Sequence, residues 1–350
     1  MKIAVVGSGT VGVMSVCHIL RYTDAEVTCI YDPNKKILGI GESSNIQLPQ
    51  LLWESIKFNP SLHGDKLDCT LKYSVYYKNW RDKSFHSQII PNQYALHFNN
   101  FKLQSFVFDE CKKIYGDRFN IVEENVVSLI ERIDSVNINN HRFDYAIDCR
   151  GWPESYEDYH LCDVLPLNKA LVHPINKPGD WNFTYHTAHE NGWMFGIPLR
   201  KRQGWGYLYN DEITSKKEAI DNFNIVTRKN INYENVREYQ FKPFKANKYV
   251  NKRIMLNGNS ALFYEPIEAI SGGFYDTLNV LYYEYIFNKT FNERDINLNI
   301  HYMADKYINF ISYLYHGGSV YDTDFWRHAI KICNDNLKNE KWLETIESIK

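Results

Sequence analysis

The chain opens with an apolar run that gives way to a glycine turn and then to a helical pattern of apolar residues. Four apolar residues precede Gly7 without a break, as in a parallel strand that is covered on both faces. Gly9 and Gly12 complete the spacing of a dinucleotide-binding turn, in which the phosphates lie at the N-terminal end of the helix. Thr10 and Val11 would form that helix end. We therefore predict a strand, a phosphate-binding turn and a helix, with a turn that binds no ligand as the alternative.

Two further apolar runs extend the predicted sheet. Residues 27–31 end at Asp32, 25 residues after Gly7, where the fingerprint has an acidic residue for a ribose hydroxyl. Residues 120–130 predict a strand and turn with Val126 near the centre. Asp32 and Val126 are therefore candidates for cofactor binding.

Two later runs are predicted to be strands that end in a glycine turn. The run 142–151 contains Asp148 and ends in a glycine, and the run 253–259 contains Gly258. Ligands of parallel sheets bind where the strands end. Asp148 and Gly258 are added to the cofactor-binding candidates for this reason.

A second glycine-bearing loop follows the second predicted strand. It covers residues 37–44, carries Gly41, Glu42 and Ser43, and leads into an amphipathic helix from about 46 to 57. Such a loop can lie along a flat cofactor ring. An ordinary flexible connection fits the spacing equally well.

The middle of the chain adds one candidate residue and one more helix. Residues 71–77 alternate enough to predict a strand, and this strand carries Lys72. A lone lysine on a strand is usually solvated, so the pattern alone gives Lys72 no function. From 93 to about 114 the pattern predicts a helix.

The pattern of apolar and polar residues changes after residue 165. Short alternating runs without a long helical pattern extend to about 248 and predict an inserted antiparallel sheet. Gly272 and Gly273 are expected to break a later turn, with helix from Phe274 onward. We predict an α/β fold with a Rossmann-like, three-layer nucleotide-binding domain, an inserted antiparallel sheet and C-terminal helices. The expected domains are a nucleotide-binding part over 1–160, a substrate domain over 161–249, the rest of the nucleotide-binding domain over 250–300 and a helical segment over 301–350.

Composition and charge narrow the class of protein. The net charge of -2 over 350 residues lacks the excess of positive charge that is typical of nucleic-acid-binding proteins. Seven cysteines lack the CxxC spacing of a zinc site and are odd in number, so we expect no metal site and a reducing, cytoplasmic environment. No apolar run reaches the length of a membrane span. The 26 tyrosines and eight tryptophans favour stacking surfaces, although a bias in residue usage explains them equally well.

Several segments of residues 1 to 330 resemble motifs of the flavin-dependent tryptophan halogenases, and they follow one another along the chain in the same order as in that family. The fingerprint turn is shared with many flavoproteins and discriminates little. Gly192–Pro198 resembles the family's WxWxIP stretch, with Phe195 in place of the second tryptophan. The other similar segments are 39–43 (GIGES, resembling GVGEA), 148–151 (DCRG, resembling DCSG), 265–269 (EPIEA, resembling EPLES), and 310–311 with 324–327 (FI and DFWR, resembling FI…DxPFW).

The resemblance implies a catalytic pair. Lys72, ahead of an Asn-Trp pair, matches the family's catalytic lysine, and Glu268 matches the glutamate of EPLES. In this family reduced FAD, oxygen and halide give hypohalous acid, which must be led to the substrate. A lysine can hydrogen-bond that acid or carry its halogen, and a carboxylate can stabilise the positive intermediate of aromatic substitution. Helix capping is the alternative role for Glu268.

The resemblance also implies a halide site and a wall of side chains between the substrate and the flavin. Backbone N–H groups at Ser271 and Gly272 could bind the halide, as the family's ESTG turn does. Trp193, Phe195 and Pro198 match the motif that separates substrate from flavin in the family, although they could equally be core of the inserted sheet. FAD would lie extended at the ends of the parallel strands.

Departures from the family pattern bear on substrate and halide. Ala269 replaces the serine after the glutamate, and the turn to Gly273 is longer than ESTG, which suggests a larger halide such as bromide or iodide. The region 83–94 is shorter than in the tryptophan halogenases. We also expect that the C-terminal extension with which relatives grip free tryptophan is missing. We therefore expect an open pocket for an indole- or phenol-like aromatic substrate rather than free tryptophan.

The expected activity is that of a halogenase that receives reduced FAD from a separate flavin reductase, because only one dinucleotide fingerprint is visible. A flavin monooxygenase that hydroxylates an aromatic substrate is the first alternative, and Lys72 discriminates between the two. A flavin-binding interaction module without turnover is the second, and the intact fingerprint, Lys72 and Glu268 argue against it. The low-charge, aromatic-rich surface would permit a homodimer, and we expect no nucleic-acid or membrane partner.

Overall fold

The computed structural model describes residues 1–35, 37, 39–232 and 236–338. Leu38 of the predicted cofactor loop and residues 339–350 of the predicted C-terminal segment lie outside the described residues. The chain forms two compact units. The first comprises residues 1–72, 89–160 and 244–303, and the second comprises 73–88, 161–243 and the chain from 304 onward. The predicted α/β class is confirmed.

The elements are numbered in chain order over the described residues. The strands are β1 (Lys2–Val6), β2 (Glu26–Tyr31), β3 (Thr70–Lys72), β4 (Ser74–Lys78), β5 (Phe85–Gln88), β6 (Ala95–His97), β7 (Phe119–Glu123), β8 (Leu129–Glu131), β9 (Val136–Ile138), β10 (His141–Phe143), β11 (Tyr145–Asp148), β12 (Tyr159–Leu161), β13 (Lys169–Ile175), β14 (Phe183–His189), β15 (Gly192–Pro198), β16 (Gln203–Tyr209), β17 (Arg237–Gln240), β18 (Phe244–Ala246), β19 (Val250–Asn251), β20 (Ile254–Leu256) and β21 (Leu262–Phe263). The α-helices are α1 (Thr10–Tyr22), α2 (Gln47–Ile56), α3 (Pro60–Leu67), α4 (Asn100–Tyr115), α5 (Lys216–Thr227), α6 (Ile270–Tyr283), α7 (Glu293–His316) and α8 (Asp324–Leu337). None of these described helices is long and apolar enough to cross a membrane.

The first unit is built around a six-stranded sheet in the order β19-β20-β11-β1-β2-β7. All neighbours in this sheet pair in parallel except β19 and β20. Ala4 and Val6 pack against Val136 and Phe143 of the β8–β10 meander. The alternation of a strand directs Ile3 and Val5 to the other face, and α1 packs against β1, β2, α2, α4 and α6. Meander, sheet and helices give the three predicted layers.

The second unit is built around a seven-stranded sheet in the order β17-β13-β16-β15-β14-β4-β5. Its neighbours are antiparallel except β14 and β4, which are parallel. The strands that this sheet takes from 161–249 are antiparallel to one another, as expected, whereas the parallel partner β4 comes from outside that range. The sheet takes β4 and β5 from residues 74–88, since β4 finds its partner in β14 about 100 residues later.

Glycines and aromatic rings interlock between β15 and β16. Phe195 lies opposite Gly206, and Gly196 lies opposite Trp205. A Cβ added at Gly206 would come within 2.3 Å of the Phe195 ring, and one at Gly196 within 2.5 Å of the Trp205 ring. Each ring therefore occupies the space above the glycine of the neighbouring strand.

Helix α5 was not predicted, and it corrects the expectation that 165–248 lacks a long helical pattern. Ser215 accepts a hydrogen bond from the Glu218 N–H, and the Glu218 carboxylate accepts one from the Ser215 N–H, which together form a capping box. Ala219, Ile220 and Phe223 are buried against the second sheet. The charges around residue 217 obscured the signal, although serine and glutamate three residues apart mark a helix start.

Three predicted boundaries in the first half of the chain differ from the structure. The strand expected over 71–77 is two strands, β3 and β4, because the chain leaves one sheet at Tyr73 and enters another. The helix expected from residue 93 begins at Asn100, preceded by β6. Within the strand and turn expected over 120–130, the strand is β7, which starts at Phe119 and ends at Glu123, and the next strand already begins at Leu129.

Helix α6 begins earlier than expected. It starts at Ile270, so that Gly272 and Gly273 lie in its first turn rather than before it. The turn is made instead by Glu268 and Ala269, whose φ angles are 56° and 53°. Two consecutive residues with side chains take the left-handed conformation that glycine usually supplies.

Candidate cofactor and catalytic site

The fingerprint turn has the geometry that its glycines predict. Gly7 has φ of 107°, and a Cβ there would come within 2.5 Å of the Cys149 oxygen. A Cβ at Gly12 would come within 2.0 Å of the Gly7 oxygen. These two glycines are required by the protein's own packing. Gly9 differs, because a Cβ there would meet no protein atom within 4 Å and its φ is -65°.

The end of α1 at Gly9 suits an anion. Gly9 is the N-cap and makes no side-chain capping bond, and the first turn contains no acidic residue. The N–H groups of Thr10 and Val11 lie in this first turn, where helices leave their donors without intrahelical partners. The open space at Gly9 and the helix end form a cradle for a phosphate group.

Three of the other predicted cofactor residues surround this turn. Gly258 has φ of 67°, and a Cβ there would come within 3.2 Å of the Val11 side chain. Asp32 follows β2, next to β1 in the sheet, and its carboxylate accepts a hydrogen bond from the Asn34 N–H. Asp148 ends β11 on the other side of β1.

Asp148 has a partner within the protein. Its two carboxylate oxygens accept hydrogen bonds from Arg150 at 3.0 Å from Nε and 2.8 Å from Nη2. This pair raises the pKa of the Arg150 guanidinium. Val126 is half-buried and packs against the core around Ala4 and Val6. Asp148 thus stabilises the turn after β11, and Val126 contributes to the hydrophobic core.

The second glycine loop lies along the segment that leads into α4. Gly41 has φ of 76° and open space around its Cα. A Cβ at Gly39 would come within 2.8 Å of the Phe101 ring. Glu42 is buried, and its carboxylate accepts a hydrogen bond from the Asn100 N–H at 3.3 Å.

Lys72 is buried beside this loop. Its side chain is only 3% exposed, and its ammonium donates to the Ser43 hydroxyl and to the Ser44 carbonyl, both at 3.1 Å. Burial lowers the pKa of Lys72 to about 8, while the negative charge of Glu268 acts to raise it. The lysine therefore titrates close to neutrality and can serve as ammonium or amine.

His97 is a second buried base in this region that the sequence analysis missed. It lies opposite Thr70 in the β3–β6 pair, and its Nδ1 is 3.2 Å from the Thr70 hydroxyl. Burial, together with the charge of Lys72, holds the pKa of His97 well below its ordinary value. This environment favours the neutral form of the His97 imidazole.

Glu268 is held by an unusual backbone. It is half-buried and adopts φ of 56° directly before Ala269 with φ of 53°. Left-handed conformations of residues with side chains cost about 1–3 kcal/mol each and occur often at functional sites. Ala269, the residue after Glu268, occupies the N-cap position of α6.

Ser271 and Gly272 lie in the first turn of α6. The N-cap Ala269 makes no side-chain capping bond, and this turn contains no acidic residue. A Cβ at Gly272 would lie 3.8 Å from the Asn45 amide nitrogen, so the space at Gly272 faces Asn45. The earlier helix start removes the long glycine turn on which the expectation of a larger halide rested.

Trp193, Phe195 and Pro198 belong to β15 in the second unit and are buried. Trp193 has no exposed surface, and its indole N–H donates to the Tyr315 hydroxyl at 2.7 Å. Its ring also contacts Trp80 and His186, with centroids 6.0 and 4.8 Å away. Among the described residues, no group of three or more acidic, histidine or cysteine side chains could hold a metal ion.

Four residues around Lys72 and the loop were not predicted as site residues, namely Ser44, Thr70, His97 and Asn100. The two asparagines at 99 and 100 were a usable signal, because Asn99 accepts a hydrogen bond from the Phe101 N–H as an N-cap. Placing the helix start at residue 93 hid this signal.

Comparison with known proteins identifies the relatives of this chain. The sequence profile of the family described as tryptophan halogenase matches residues 2–100 and 83–344. The chain is similar to tryptophan 7-halogenase RebH of Lentzea aerocolonigenes, with 20% identity over 93% of this chain and 78% of the relative. Tryptophan 7-halogenase KtzQ of Kutzneria sp. (strain 744) is 22% identical over 80% of this chain and 68% of the relative.

A solved structure shares the fold. BrvH, a flavin-dependent halogenase from Brevundimonas sp. BAL3, superposes with a TM-score of 0.79 at 17% identity, covering 95% of this chain and 82% of that one. The family profile covers nearly the whole chain, and this confirms the resemblance found in the motifs. The chain belongs to the tryptophan halogenase family.

Proposed function

We propose that this protein is a flavin-dependent halogenase that uses reduced FAD, oxygen and halide to halogenate an electron-rich aromatic substrate. The observation that carries the proposal is the buried Lys72, whose ammonium is fixed by Ser43 and Ser44 within the same unit as the fingerprint turn. A buried lysine charge costs free energy and is retained where chemistry needs it.

The family implies FAD, and the residues of this chain fit it. Gly9 leaves open space where no packing within the protein demands a glycine, and the uncapped start of α1 offers N–H donors to a pyrophosphate. Asp32, at the end of the neighbouring strand, is the candidate partner of a ribose hydroxyl. The loop with Gly41 and Ser43 is the candidate neighbour of the flavin ring.

Bound FAD would supply, in its reduced form and with oxygen, the oxidising power that converts halide to hypohalous acid. Lys72 would hold the hypohalous acid by a hydrogen bond from its ammonium, or its neutral amine would accept the halogen as the O–X bond breaks, with the N–H proton and the hydroxide leaving as water. A pKa of about 8 keeps both forms within reach near neutral pH. The bonds to Ser43 and Ser44 keep the nitrogen in one place.

Glu268 would act on the substrate rather than on the flavin. Its carboxylate interacts electrostatically with Lys72. A negative charge beside the lysine can stabilise the positive aromatic intermediate and then accept its proton. The left-handed backbone at this residue would hold the carboxylate in that orientation.

The remaining components follow from the chemistry. We expect a separate flavin reductase to deliver the reduced cofactor and the first turn of α6, at Ser271 and Gly272, to bind the halide. The substrate is proposed to be an indole- or phenol-like ring other than free tryptophan. A homodimer remains our expectation for the assembly.

Mass spectrometry of a reconstituted reaction tests the proposal. The protein is incubated with FAD, a generic flavin reductase, NADH, oxygen and a panel of indoles and phenols, in parallel with chloride, bromide and iodide and with catalase present. Lys72→Ala should lower halogen incorporation about 10²–10³-fold, because one preorganised group at the reacting atoms is lost. Lys113→Ala, which removes a lysine ion-paired to Glu110 on the surface of α4, is the matched control and should leave product formation unchanged.

Two results would contradict the proposal. Halogenation by Lys72→Ala at the wild-type rate would remove the lysine from the chemistry. Oxygen added to the substrate in place of halogen, to the same extent in both proteins, would place the chain among the hydroxylating flavin monooxygenases. The ranking of the three halides would report on the turn at Ser271.

A further inference from the structure

Asn100 connects two segments of the candidate cofactor site that are far apart in sequence. It is the first residue of α4 and is only 4% exposed. Its side-chain oxygen accepts a hydrogen bond from the Thr10 hydroxyl at 3.0 Å, and its side-chain nitrogen donates to the Ile40 carbonyl at 2.7 Å. Its backbone N–H donates to the Glu42 carboxylate at 3.3 Å. One residue thus contacts both the fingerprint helix and the second glycine loop.

The residues before Asn100 continue this attachment along the loop. The Phe98 N–H donates to the Glu42 carbonyl at 3.0 Å. The Ser44 N–H donates to the Leu96 carbonyl at 2.8 Å, and the Leu96 N–H donates to the Ser44 hydroxyl at 2.9 Å. The loop 39–44 is therefore fixed along its length by the segment that starts α4.

The same loop holds the lysine. Ser43 and Ser44 accept the two hydrogen bonds of the Lys72 ammonium described above, and Lys72 lies opposite Ala95 in the β3–β6 pair. We propose that Asn100 is a positioning residue that fastens the flavin loop to the fingerprint helix, so that FAD binding and the placement of Lys72 depend on one side chain.

The chemistry of the amide explains why asparagine is suited to this position. Its oxygen is an acceptor for Thr10 and its nitrogen is a donor for Ile40, and both atoms lie on one planar group. Aspartate would keep the acceptor and lose the donor, and it would add a negative charge beside Glu42. Alanine would lose both, which leaves the carbonyl of the half-buried Ile40 without this donor.

The test compares the affinity for FAD with the affinity for ADP, measured by isothermal titration calorimetry on the full chain. The inference rests on the proposed function, since ADP would occupy the fingerprint turn alone and FAD would also use the loop. Asn100→Ala is expected to raise the Kd of FAD at least about tenfold and the Kd of ADP less than about threefold. Asn100→Asp should weaken FAD binding at least as much. Because aspartate has the same shape as asparagine, this variant provides the test if the alanine variant does not fold.

Asn99→Ala is the matched control. Asn99 caps α4 through the Phe101 N–H, so this variant should lower the Tm by a similar amount while leaving both Kd values unchanged. Equal weakening of FAD by the two alanine variants would reduce Asn100 to a stabiliser of α4 and overturn the inference. Wild-type FAD affinity in both Asn100 variants would also overturn it. A wild-type chain that binds no FAD would overturn the proposed function itself.

Discussion

Lys72 and Trp193 are both buried residues of a sequence motif, but burial has opposite consequences for them. Around Lys72, burial leaves a charged group with two hydrogen-bond acceptors and a lowered pKa. The buried Trp193 ring contacts the Trp80 ring, and its indole N–H donates a hydrogen bond to the Tyr315 hydroxyl. The first site holds a group in a costly state, whereas the second consists of favourable contacts.

The comparison teaches how to separate chemistry from packing when both are encoded in motifs. Burial of a side chain says little by itself, because Lys72 and Trp193 are 3% and 0% exposed. Removing the Lys72 side chain would remove the free-energy cost of a buried charge, whereas removing the Trp193 side chain would remove favourable contacts. Three predictions address this difference, from the largest expected effect to the smallest.

The largest effect concerns the pH dependence of stability at Lys72. A pKa of about 8 in the folded chain against 10.5 in the unfolded chain corresponds to about 3 kcal/mol. Below pH 8 both states are charged and the full cost applies. Between pH 8 and 10.5 the unfolded chain binds more protons, so the free energy of unfolding contributed by this group rises with pH.

Urea unfolding of wild type and Lys72→Met at several pH values from 7 to 10.5 measures this contribution. The variant should be at least as stable as wild type at pH 7, and its advantage should shrink as the pH rises. Tyrosines that titrate in this range affect both proteins equally. A difference between the two proteins that stays constant over the whole range would mean that the lysine is solvated in the folded state.

The second prediction compares Gly9 with Gly206. A Cβ at Gly206 would collide with the Phe195 ring at 2.3 Å, whereas a Cβ at Gly9 has open space. Gly206→Ala should lower the free energy of unfolding by about 1–3 kcal/mol. Gly9→Ala should change it by less than about 0.5 kcal/mol and should instead weaken FAD binding, since its methyl group would fill the phosphate cradle.

Chemical denaturation and FAD titration of both variants provide the measurements. Each variant is the control of the other, because both add the same methyl group. A large loss of stability in Gly9→Ala with unchanged FAD affinity would show that the protein's own packing requires this glycine.

The smallest effect concerns the hydrogen bond between Trp193 and Tyr315. Tyr315→Phe removes the acceptor of the buried indole N–H and should cost about 1 kcal/mol. Trp193→Phe removes the donor as well as part of the ring. A double-mutant cycle isolates the bond, and additive losses would show that the bond contributes nothing to stability.

The parts of the fold that could be predicted are those encoded over short distances in the sequence. The strand, glycine turn and helix of residues 2–22 depend on neighbouring residues, and the structure confirms them. Helix α2 was predicted within one residue at each end. The start of α6 was wrong because Glu268 and Ala269 adopt φ angles that side chains rarely take, and no sequence pattern announces such a turn.

The contacts that complete the candidate site were not predictable, because they depend on register. His97 meets Thr70 only through the β3–β6 pairing, and Phe195 meets Gly206 only through the β15–β16 pairing. A shift of one residue in either pair would separate these side chains. Lys72 and Glu268 could be named from the resemblance, whereas the groups that hold them follow from the three-dimensional arrangement.

The strand order of the first sheet also has a consequence for how the chain is made. Strand β1 pairs with β11, and β11 pairs with β20 at residues 254–256. During synthesis the apolar strand β1 therefore emerges long before residues 254–256, and until they follow, the edge of β11 that pairs with β20 stays open. An unpaired edge of this kind invites aggregation, so the yield of active protein should depend on chaperones and on the speed of translation.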